Sequence, residues 1–278
     1  HDVRAEEGDL VRHLAGESGE SRLPLDREVI ARLHLEGRGA LRVEFGHEAE
    51  QPGTQLVVGR GPRRGGRGGD EPAAREVVVE TVAGRDFTVD VGGFWQVHRL
   101  AAQTLTDAVV DAVAGALDPD GHHLDLYGGV GLLAAAVAGV AGPGGRITSI
   151  ESDPRATEHA GENLAAWVGA RAETDRTERY LTRLLAQAGA AERARLAHGV
   201  VLLDPPRAGA GREVVERVAA LSPASVVYVA CDPVALARDI GTFRAHGYQP
   251  QRIDALDLFP HSHHLEAVAV LSRDGRAR

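Results

Sequence analysis

Short apolar segments alternate with helical patterns through most of the chain, and this alternation limits the possible fold more than any other feature. The apolar segments at residues 123–127, 146–150, 199–203 and 226–230 are each followed by a stretch with helical spacing, and two more apolar segments follow at 249–255 and 267–272. Strands that alternate with helices in this way form βαβ units, whose strands lie parallel. We therefore predict an α/β protein with a mainly parallel sheet.

The region before this alternation has a different pattern. Strand-like segments occur at residues 41–45, 55–58, 76–82 and 87–91, and a helical pattern covers residues 99–116. We assign residues 1–85 to a partial β-rich module with a flexible Gly/Arg loop, and residues 86–278 to the α/β domain. The arginines at 60–67 could contact phosphates, although a solvated loop is the simpler interpretation.

Composition excludes several classes of protein. A net charge of −9 over 278 residues argues against nonspecific nucleic-acid binding by the whole surface. No segment reaches the roughly 18 apolar residues of a membrane span. The single cysteine fits a reducing, cytoplasmic compartment and excludes an ordinary four-cysteine cluster in this chain. Because the chain begins at His1 and contains no methionine, we expect it to be part of a longer protein.

A glycine-rich turn follows the first strand of the alternation. Residues 125–131 read Asp-Leu-Tyr-Gly-Gly-Val-Gly and join that strand to an alanine-rich helix. Glycines let a ligand approach the backbone, and a helix N-terminus offers unpaired N–H groups. Glu151 ends the next strand, where a carboxylate can accept hydrogen bonds from a ribose. The pattern indicates a nucleoside-containing cofactor. The segment that begins at Gly129 also fits the loose G-x-G-x-x-A pattern of dinucleotide-binding proteins, so a dinucleotide cofactor remains possible.

Reactive side chains follow the later strands. Asp204 begins an Asp-Pro-Pro turn, and Cys231 lies between an apolar strand and Asp232-Pro. An isolated thiol at the carboxyl edge of a sheet is either a small buried hydrophobic residue or a nucleophile. Glu266 opens the last apolar strand and could act as a base if the fold brings it near Cys231.

Three histidines, at positions 261, 263 and 264, precede Glu266. Their spacing does not fit a set of metal ligands, and the only cysteine is distant in sequence. We therefore expect no metal site.

In this order, the motifs resemble the catalytic domain of the RNA (uracil-5-)methyltransferase family. The resemblance covers roughly residues 86–272 and includes Phe-Trp-Gln-Val at 94–97, the glycine turn, Asp-Pro-Pro, Cys-Asp-Pro and the segment that ends in Glu266. Members of this family use S-adenosylmethionine to make 5-methyluridine in tRNA or 23S ribosomal RNA. The resemblance therefore implies a Rossmann-like seven-stranded methyltransferase sheet with helices on both faces, S-adenosyl-L-methionine as cofactor and an RNA substrate. It does not imply that the protein associates with a membrane or needs an obligate protein partner.

The resemblance also implies roles for individual residues. Cys231 corresponds to the nucleophile and Glu266 to the general base. The cofactor-binding positions correspond to Gln96, Tyr127, Glu151 and Asp204. Asp175 lies near the position of the acid on the adenine side, but the local match is poor.

The chain departs from the family pattern at several positions. Gly128 replaces a common cysteine, a change that we expect to be harmless in a loop lined by backbone. Ala230 and Asp232 flank the thiol where serine and asparagine are common, and Ser262 replaces threonine. Asp232 would raise the pKa of the thiol unless its side chain points away.

Three alternatives remain open from the sequence. The protein could be a non-covalent methyltransferase that acts on another RNA base or a small molecule, with Cys231 merely buried. The loose glycine pattern would also suit a nicotinamide oxidoreductase. A non-catalytic RNA-binding scaffold could retain the fold alone.

Overall fold

A computed structural model of the protein describes residues 30–36, 40–46, 77–115, 117–258 and 265–273. Two small antiparallel pairs come first, β1 (Ile30–Glu36) with β2 (Ala40–Gly46) and β3 (Val77–Val82) with β4 (Arg85–Asp90). Helix α1 (Ala101–Val113) then leads into the large sheet.

The large sheet has seven strands connected by helices. In chain order the elements are β5 (His122–Leu126), α2 (Leu132–Ala141), β6 (Arg146–Glu151), α3 (Pro154–Asn163), β7 (Ala170–Thr174), α4 (Thr177–Gln187), α5 (Ala190–Ala197), β8 (Val200–Leu203), α6 (Gly211–Leu221), β9 (Ser225–Ala230), α7 (Pro233–Ala245), β10 (Tyr248–Leu256) and β11 (Glu266–Arg273). The spatial order is β10-β11-β9-β8-β5-β6-β7. Strands β5 to β9 are parallel, and β11 runs antiparallel to both of its neighbours.

Helices cover both faces of this sheet because successive strand residues point to opposite sides. In β9, Val227 and Val229 pack with α1 and α2 on one face. Val226 and Tyr228 pack with α4, α6 and α7 on the other face. The strands are buried on both faces, which explains their continuous apolar sequences. The predicted Rossmann-like seven-stranded sheet with helices on both faces is confirmed.

The structure adds elements that the sequence pattern did not reveal. Residues 168–198 form β7, α4 and α5, although no strand or helix was predicted there. Strand β7 is a sheet edge whose alternating residues include Arg171 and Glu173, so it lacks the apolar run of the inner strands. Strand β1 was also missed, and the predicted strand at 55–58 lies outside the described residues.

Strands β3 and β4 form one hairpin, which spans residue 85. The proposed domain boundary between residues 85 and 86 lies inside this hairpin and stays a prediction. Within the described ranges, no helix combines the length and the apolar character needed to cross a bilayer.

Candidate active site

A cavity of about 990 Å³ opens at the carboxyl ends of β5, β6, β8 and β9. Parallel strands all end at this edge, so the turns that follow them converge there. The cavity is lined by every catalytic and cofactor-binding residue predicted from the sequence, namely Gln96, Tyr127, Glu151, Asp204, Cys231 and Glu266. The fold therefore brings together positions that are up to 170 residues apart in sequence.

The glycine turn exposes backbone to the cavity. Tyr127, Gly129 and Gly131 have φ values of 66°, 52° and 85°, in the left-handed region that favours glycine. Tyr127 is the exception with a side chain, and such strain is typical of ligand-binding turns. Helix α2 begins at this turn, and its N-cap residue, Gly131, has no side chain that could cap the first N–H groups.

Glu151 is fixed at the end of β6 by backbone donors. Its carboxylate accepts hydrogen bonds from the N–H groups of Gly129 (3.1 Å), Ser152 (2.6 Å) and Asp153 (2.8 Å). Its position therefore does not depend on a ligand. The carboxylate can receive a ribose hydroxyl at the remaining lone pairs.

Asp125 lies beneath the glycine turn. It is 1% exposed, and Oδ2 accepts a hydrogen bond of 2.9 Å from the Ser149 hydroxyl. Oδ1 is buried and has no hydrogen-bond partner among the described residues. Burial, reinforced by the nearby Glu151 carboxylate, raises the pKa of Asp125 to about 7 although the Ser149 hydrogen bond opposes it. The Ala134 N–H also acts on this carboxyl group and lowers its pKa, and Asp125 is among the residues that line the cavity.

Gly128 leaves room for the contact between Asp125 and Ser149. A Cβ atom at Gly128 would lie 1.9 Å from Ser149 Oγ and 2.6 Å from Asp125 Oδ2. Glycine therefore fits this loop, as expected. The hydrogen bond between Ser149 and Asp125 also requires a residue without a side chain at position 128. A side chain at this position would displace the serine hydroxyl.

Polar contacts hold the β3–β4 hairpin against α3, beside the cavity. Asp90 binds the Arg155 guanidinium through contacts of 2.9 and 3.1 Å and accepts 2.8 Å from His159. The Arg155 and then the His159 hydrogen bonds lower the pKa of Asp90 to about 2. The hairpin is therefore held in place just before the segment that carries Gln96.

Asn163 adds a second connection between α3 and the cavity wall. Its side chain accepts from the Thr88 N–H (2.9 Å) and donates to the Val130 carbonyl (2.9 Å). Sequence reasoning missed Asn163, Arg155 and His159, because single polar residues on a helix give no signal of partners some 70 residues away.

The segment after β4 places Gln96 in the cavity wall. Trp95 packs against Phe87 with ring centroids 6.1 Å apart, which anchors the segment to the hairpin. Phe94 lines the cavity and is 73% exposed, so its ring lies at the mouth.

Strand register explains why Cys231 and Glu266 are adjacent. In the antiparallel pair of β9 and β11, Ala267 lies opposite Ala230. Cys231 directly follows Ala230 and Glu266 directly precedes Ala267, so both residues adjoin the same end of this ladder, and the Glu266 charge acts on the thiol. Only an antiparallel strand can bring its first residue to the edge where the parallel strands end.

Negative groups and burial shape the acidity of the site. Burial, followed by the Glu266 and Asp204 carboxylates, raises the pKa of Cys231. Burial likewise raises the pKa of Glu266, and the charge of Arg207 opposes this shift. Partial burial together with Glu266 and Asp125 raises the pKa of Asp204 to about 8. Sequence reasoning overlooked Arg207, although it directly follows the Asp-Pro-Pro motif.

Asp232 does not act on the thiol. Its carboxylate accepts a hydrogen bond of 2.7 Å from the Ala235 N–H and caps the N-terminus of α7. The side chain therefore points toward the helix, and it is not among the groups that shift the pKa of Cys231. Aspartate is as good a helix cap as asparagine, which explains why the substitution is tolerated here.

Asp175 does not line the cavity. Its buried carboxylate binds Arg179 and, at 2.7 Å, Arg183. Burial opposes ionisation, but these guanidinium groups and the Arg176 N–H hold the pKa of Asp175 below its usual range. The carboxylate of Asp175 is therefore paired with arginines, and its assignment to the adenine side stays a prediction.

The described part of the chain contains no cluster of three or more metal-ligating side chains. His261, His263 and His264 lie outside the described residues, as does Ser262.

Comparison with known proteins gives a consistent result. Residues 174–274 match the family model described as tRNA (Uracil-5-)-methyltransferase. An uncharacterized RNA methyltransferase from Streptomyces avermitilis is 46% identical over 71% of this chain and 43% of its own length. One from Bifidobacterium longum is 40% identical over 68% of this chain and 42% of its own length. The chain thus spans less than half the length of these curated relatives.

Solved structures share the fold. The tRNA (uracil-54, C5)-methyltransferase of Pyrococcus abyssi, crystallised with S-adenosyl-L-homocysteine, has a TM-score of 0.56 and 24% identity over 96% of this chain and 67% of its own. An S-adenosylmethionine-dependent methyltransferase from Agrobacterium tumefaciens has a TM-score of 0.51 and 14% identity over 73% and 72%. The family model over residues 174–274, the RNA methyltransferase relatives and the motifs at the cavity agree, and all of them indicate similarity to the tRNA (uracil-5-)-methyltransferase family.

Proposed function

We propose that this domain transfers a methyl group from S-adenosylmethionine to carbon 5 of a uridine in RNA, through a covalent adduct with Cys231. The observation that carries the proposal is that Cys231 and Glu266, at the adjoining ends of β9 and β11, line one cavity with the glycine turn. A thiol nucleophile beside a carboxylate base is the chemistry that carbon 5 of uracil requires.

The cavity residues fit this cofactor. S-adenosylmethionine carries a positive sulfonium and an ammonium group, and the cavity is lined by the carboxyl groups of Asp125, Glu151 and Asp204. Carboxyl groups in the cavity wall suit these positive groups, and Glu151 can accept a hydrogen bond from the ribose. Gln96 and Tyr127 complete the cofactor contacts. When bound, the cofactor supplies an electrophilic methyl group.

The chain's residues would act in sequence. The Cys231 thiolate forms a bond to carbon 6, and the electrons of the 5,6 double bond move toward the carbonyl at carbon 4. Carbon 5 becomes nucleophilic and takes the methyl group in line, while the bond from the methyl carbon to the sulfonium breaks and S-adenosylhomocysteine leaves as the neutral thioether. Glu266 then removes the proton from carbon 5, the double bond re-forms and Cys231 leaves as thiolate. Arg207 favours the charged form of Cys231, since its positive charge opposes the raised pKa.

The substrate would be a uridine in tRNA or 23S ribosomal RNA, in the cytoplasm. The base must leave its stack to reach a thiol at the sheet edge, so a loop uridine or one flipped out on binding suits the cavity. The exposed Phe94 ring at the mouth can stack on a base. We propose no obligate protein partner.

A methyl-transfer assay tests the proposal. The full-length protein and residues 1–278 would be incubated in parallel with labelled S-adenosylmethionine and unmodified total RNA, followed by size fractionation and nucleoside analysis. We expect label in 5-methyluridine, in either the tRNA or the 23S fraction. Label in a different nucleoside would support the non-covalent alternative, and cofactor binding without turnover by the full-length protein would support a scaffold.

A further inference from the structure

A buried hydrogen-bond cluster lies behind the reactive half of the cavity. Asp239, on α7, is fully buried. Its Oδ2 atom accepts hydrogen bonds from the Tyr228 hydroxyl (2.7 Å), the Ala210 N–H (2.9 Å) and the Gly211 N–H (3.2 Å). A buried carboxylate is costly unless it is satisfied in this way, so the cluster joins its parts firmly.

Arg238 extends the cluster to the loop between β8 and α6. Its guanidinium donates to Asp239 Oδ1 at 3.0 and 2.9 Å and to the Ala208 carbonyl at 2.7 Å. Gly209, between the bonded residues, has a φ of +78°, and a Cβ there would lie 2.5 Å from Arg238 and 2.7 Å from Asp239. The loop is therefore shaped to close over this pair.

The cluster connects two sides of the cavity. The loop that it holds follows directly on Arg207, which lines the cavity and favours ionisation of both Cys231 and Glu266. On the other side, Tyr228 lies three residues before Cys231, and the helix of Asp239 begins two residues after it. A change in the cluster would alter the distance between the Arg207 charge and the thiol.

We propose that Asp239 is a positioning residue that fixes the Arg207 loop relative to Cys231. The effect that we expect on catalysis rests on the proposed function. The positioning of the Arg207 loop relative to Cys231 can be tested without any methyl transfer. Asp239 touches neither thiol nor cavity, so it acts through the loop and not on the reacting atoms.

Residues 1–278 contain a single cysteine, so in this chain iodoacetamide reports only on Cys231. The alkylation rate would be measured against pH for the wild type and Asp239→Asn. Asparagine has the same shape as the aspartate side chain. Its NH₂ group, however, cannot accept the hydrogen bonds that one carboxylate oxygen of Asp239 accepts. We expect the midpoint of the alkylation profile to move upward by about half a pH unit or more, because the loosened loop lets Arg207 move away.

A double-mutant cycle separates positioning from general loss of structure. If Asp239 acts through Arg207, Asp239→Asn should shift the midpoint much less in an Arg207→Gln background. Equal shifts in both backgrounds, or no shift in a folded Asp239→Asn protein, would overturn the proposal. If Asp239→Asn does not fold, Tyr228→Phe removes one donor and should give a smaller shift in the same direction; a shift of zero would count against the proposal.

Tyr248→Phe is the matched control. Tyr248 is equally buried, and its hydroxyl donates 2.8 Å to the Pro223 carbonyl at the opposite edge of the sheet. We expect it to leave the alkylation midpoint unchanged.

In the methyl-transfer assay, Asp239→Asn should lower kcat about tenfold or more and change the Kd for S-adenosylhomocysteine by less than about twofold. An altered alkylation profile without turnover by the wild type would refute the proposed function alone.

Discussion

The half of the cavity built on β5 and β6 is held by backbone hydrogen bonds, whereas the half built on β8, β9 and β11 brings together two carboxyl groups and a thiol. In the first half, Glu151 receives several N–H donors and its charge is compensated. In the second, burial and the Glu266 and Asp204 carboxylates raise the pKa of Cys231, and the positive charge of Arg207 opposes this shift only in part. Glu151 is thus fixed in advance, although its charge also raises the pKa of Asp125, whereas the thiol lies in an unfavourable electrostatic environment that substrate and cofactor can relieve.

The largest effect should come from removal of the thiol. Cys231→Ala should lower methyl transfer by at least about 10³-fold, because the covalent step is lost. The Kd for S-adenosylhomocysteine should change by less than about twofold, since the two halves are built on different strands. Radiolabel transfer and calorimetry measure the two quantities. Turnover above a tenth of the wild-type rate would refute covalent catalysis.

Removal of the base should slow the reaction differently. Glu266→Gln should lower turnover by about 10²- to 10⁴-fold, because the proton on carbon 5 has no acceptor. The methylated RNA should then remain bound to Cys231 as a slow band on a denaturing gel. The same band must be absent when Cys231→Ala is added. Slow turnover without any band would exclude Glu266 as the base.

Asp204→Asn should change the free energy of unfolding, because it removes an ionisable carboxyl group from the reactive half of the cavity. The folded-state pKa of Asp204 is about 8, above its ordinary value of 3.8, so the folded state retains a proton that the unfolded chain releases. Folding stability from this group is therefore present at low pH and falls as pH rises from about 4 to about 8.

Because asparagine removes this penalty, we expect Asp204→Asn to stabilise the protein by about 1–2 kcal/mol at pH 8 and by little at pH 4.5, with activity lost. Urea denaturation at both pH values is the measurement, with Asp120→Asn, at an exposed position, as the control. Equal stability of Asp204→Asn and wild type at pH 8 would contradict the expectation.

The cofactor half should give the smallest effect. Gly128→Ala should weaken S-adenosylhomocysteine binding by about tenfold, because the new Cβ displaces the Ser149 hydroxyl from Asp125. Adding Ser149→Ala should restore part of the affinity. Gly139→Ala, with open space around it in α2, should bind as the wild type does. An unchanged Kd for Gly128→Ala would show that the packing beneath the turn does not matter.

Sequence patterns predicted the parts of the fold that follow from local chemistry. The buried strands were evident because they are apolar on both faces, and the polar residues that end them marked the sheet edge. The site residues followed from the motifs at those ends. Strand β7 was missed because an edge strand with Arg171 and Glu173 carries no such run.

Other features depend on the direction of single side chains, which no pattern gives. Asp232 could have faced the thiol, and it caps α7 instead. Asp175 suited an adenine contact by position, and it binds arginines on α4. The contact between Asp90 and Arg155 joins residues 65 positions apart, so it emerges only when the hairpin packs on α3.

The position of β11 has a consequence for when the proposed pair can form. This strand inserts between β9 and β10 and runs antiparallel to both. Cys231 follows β9 and Glu266 begins β11, so the proposed nucleophile is synthesised 35 residues before the proposed base. We expect a molecule in which β11 has not yet inserted to hold the thiol without the carboxylate beside it.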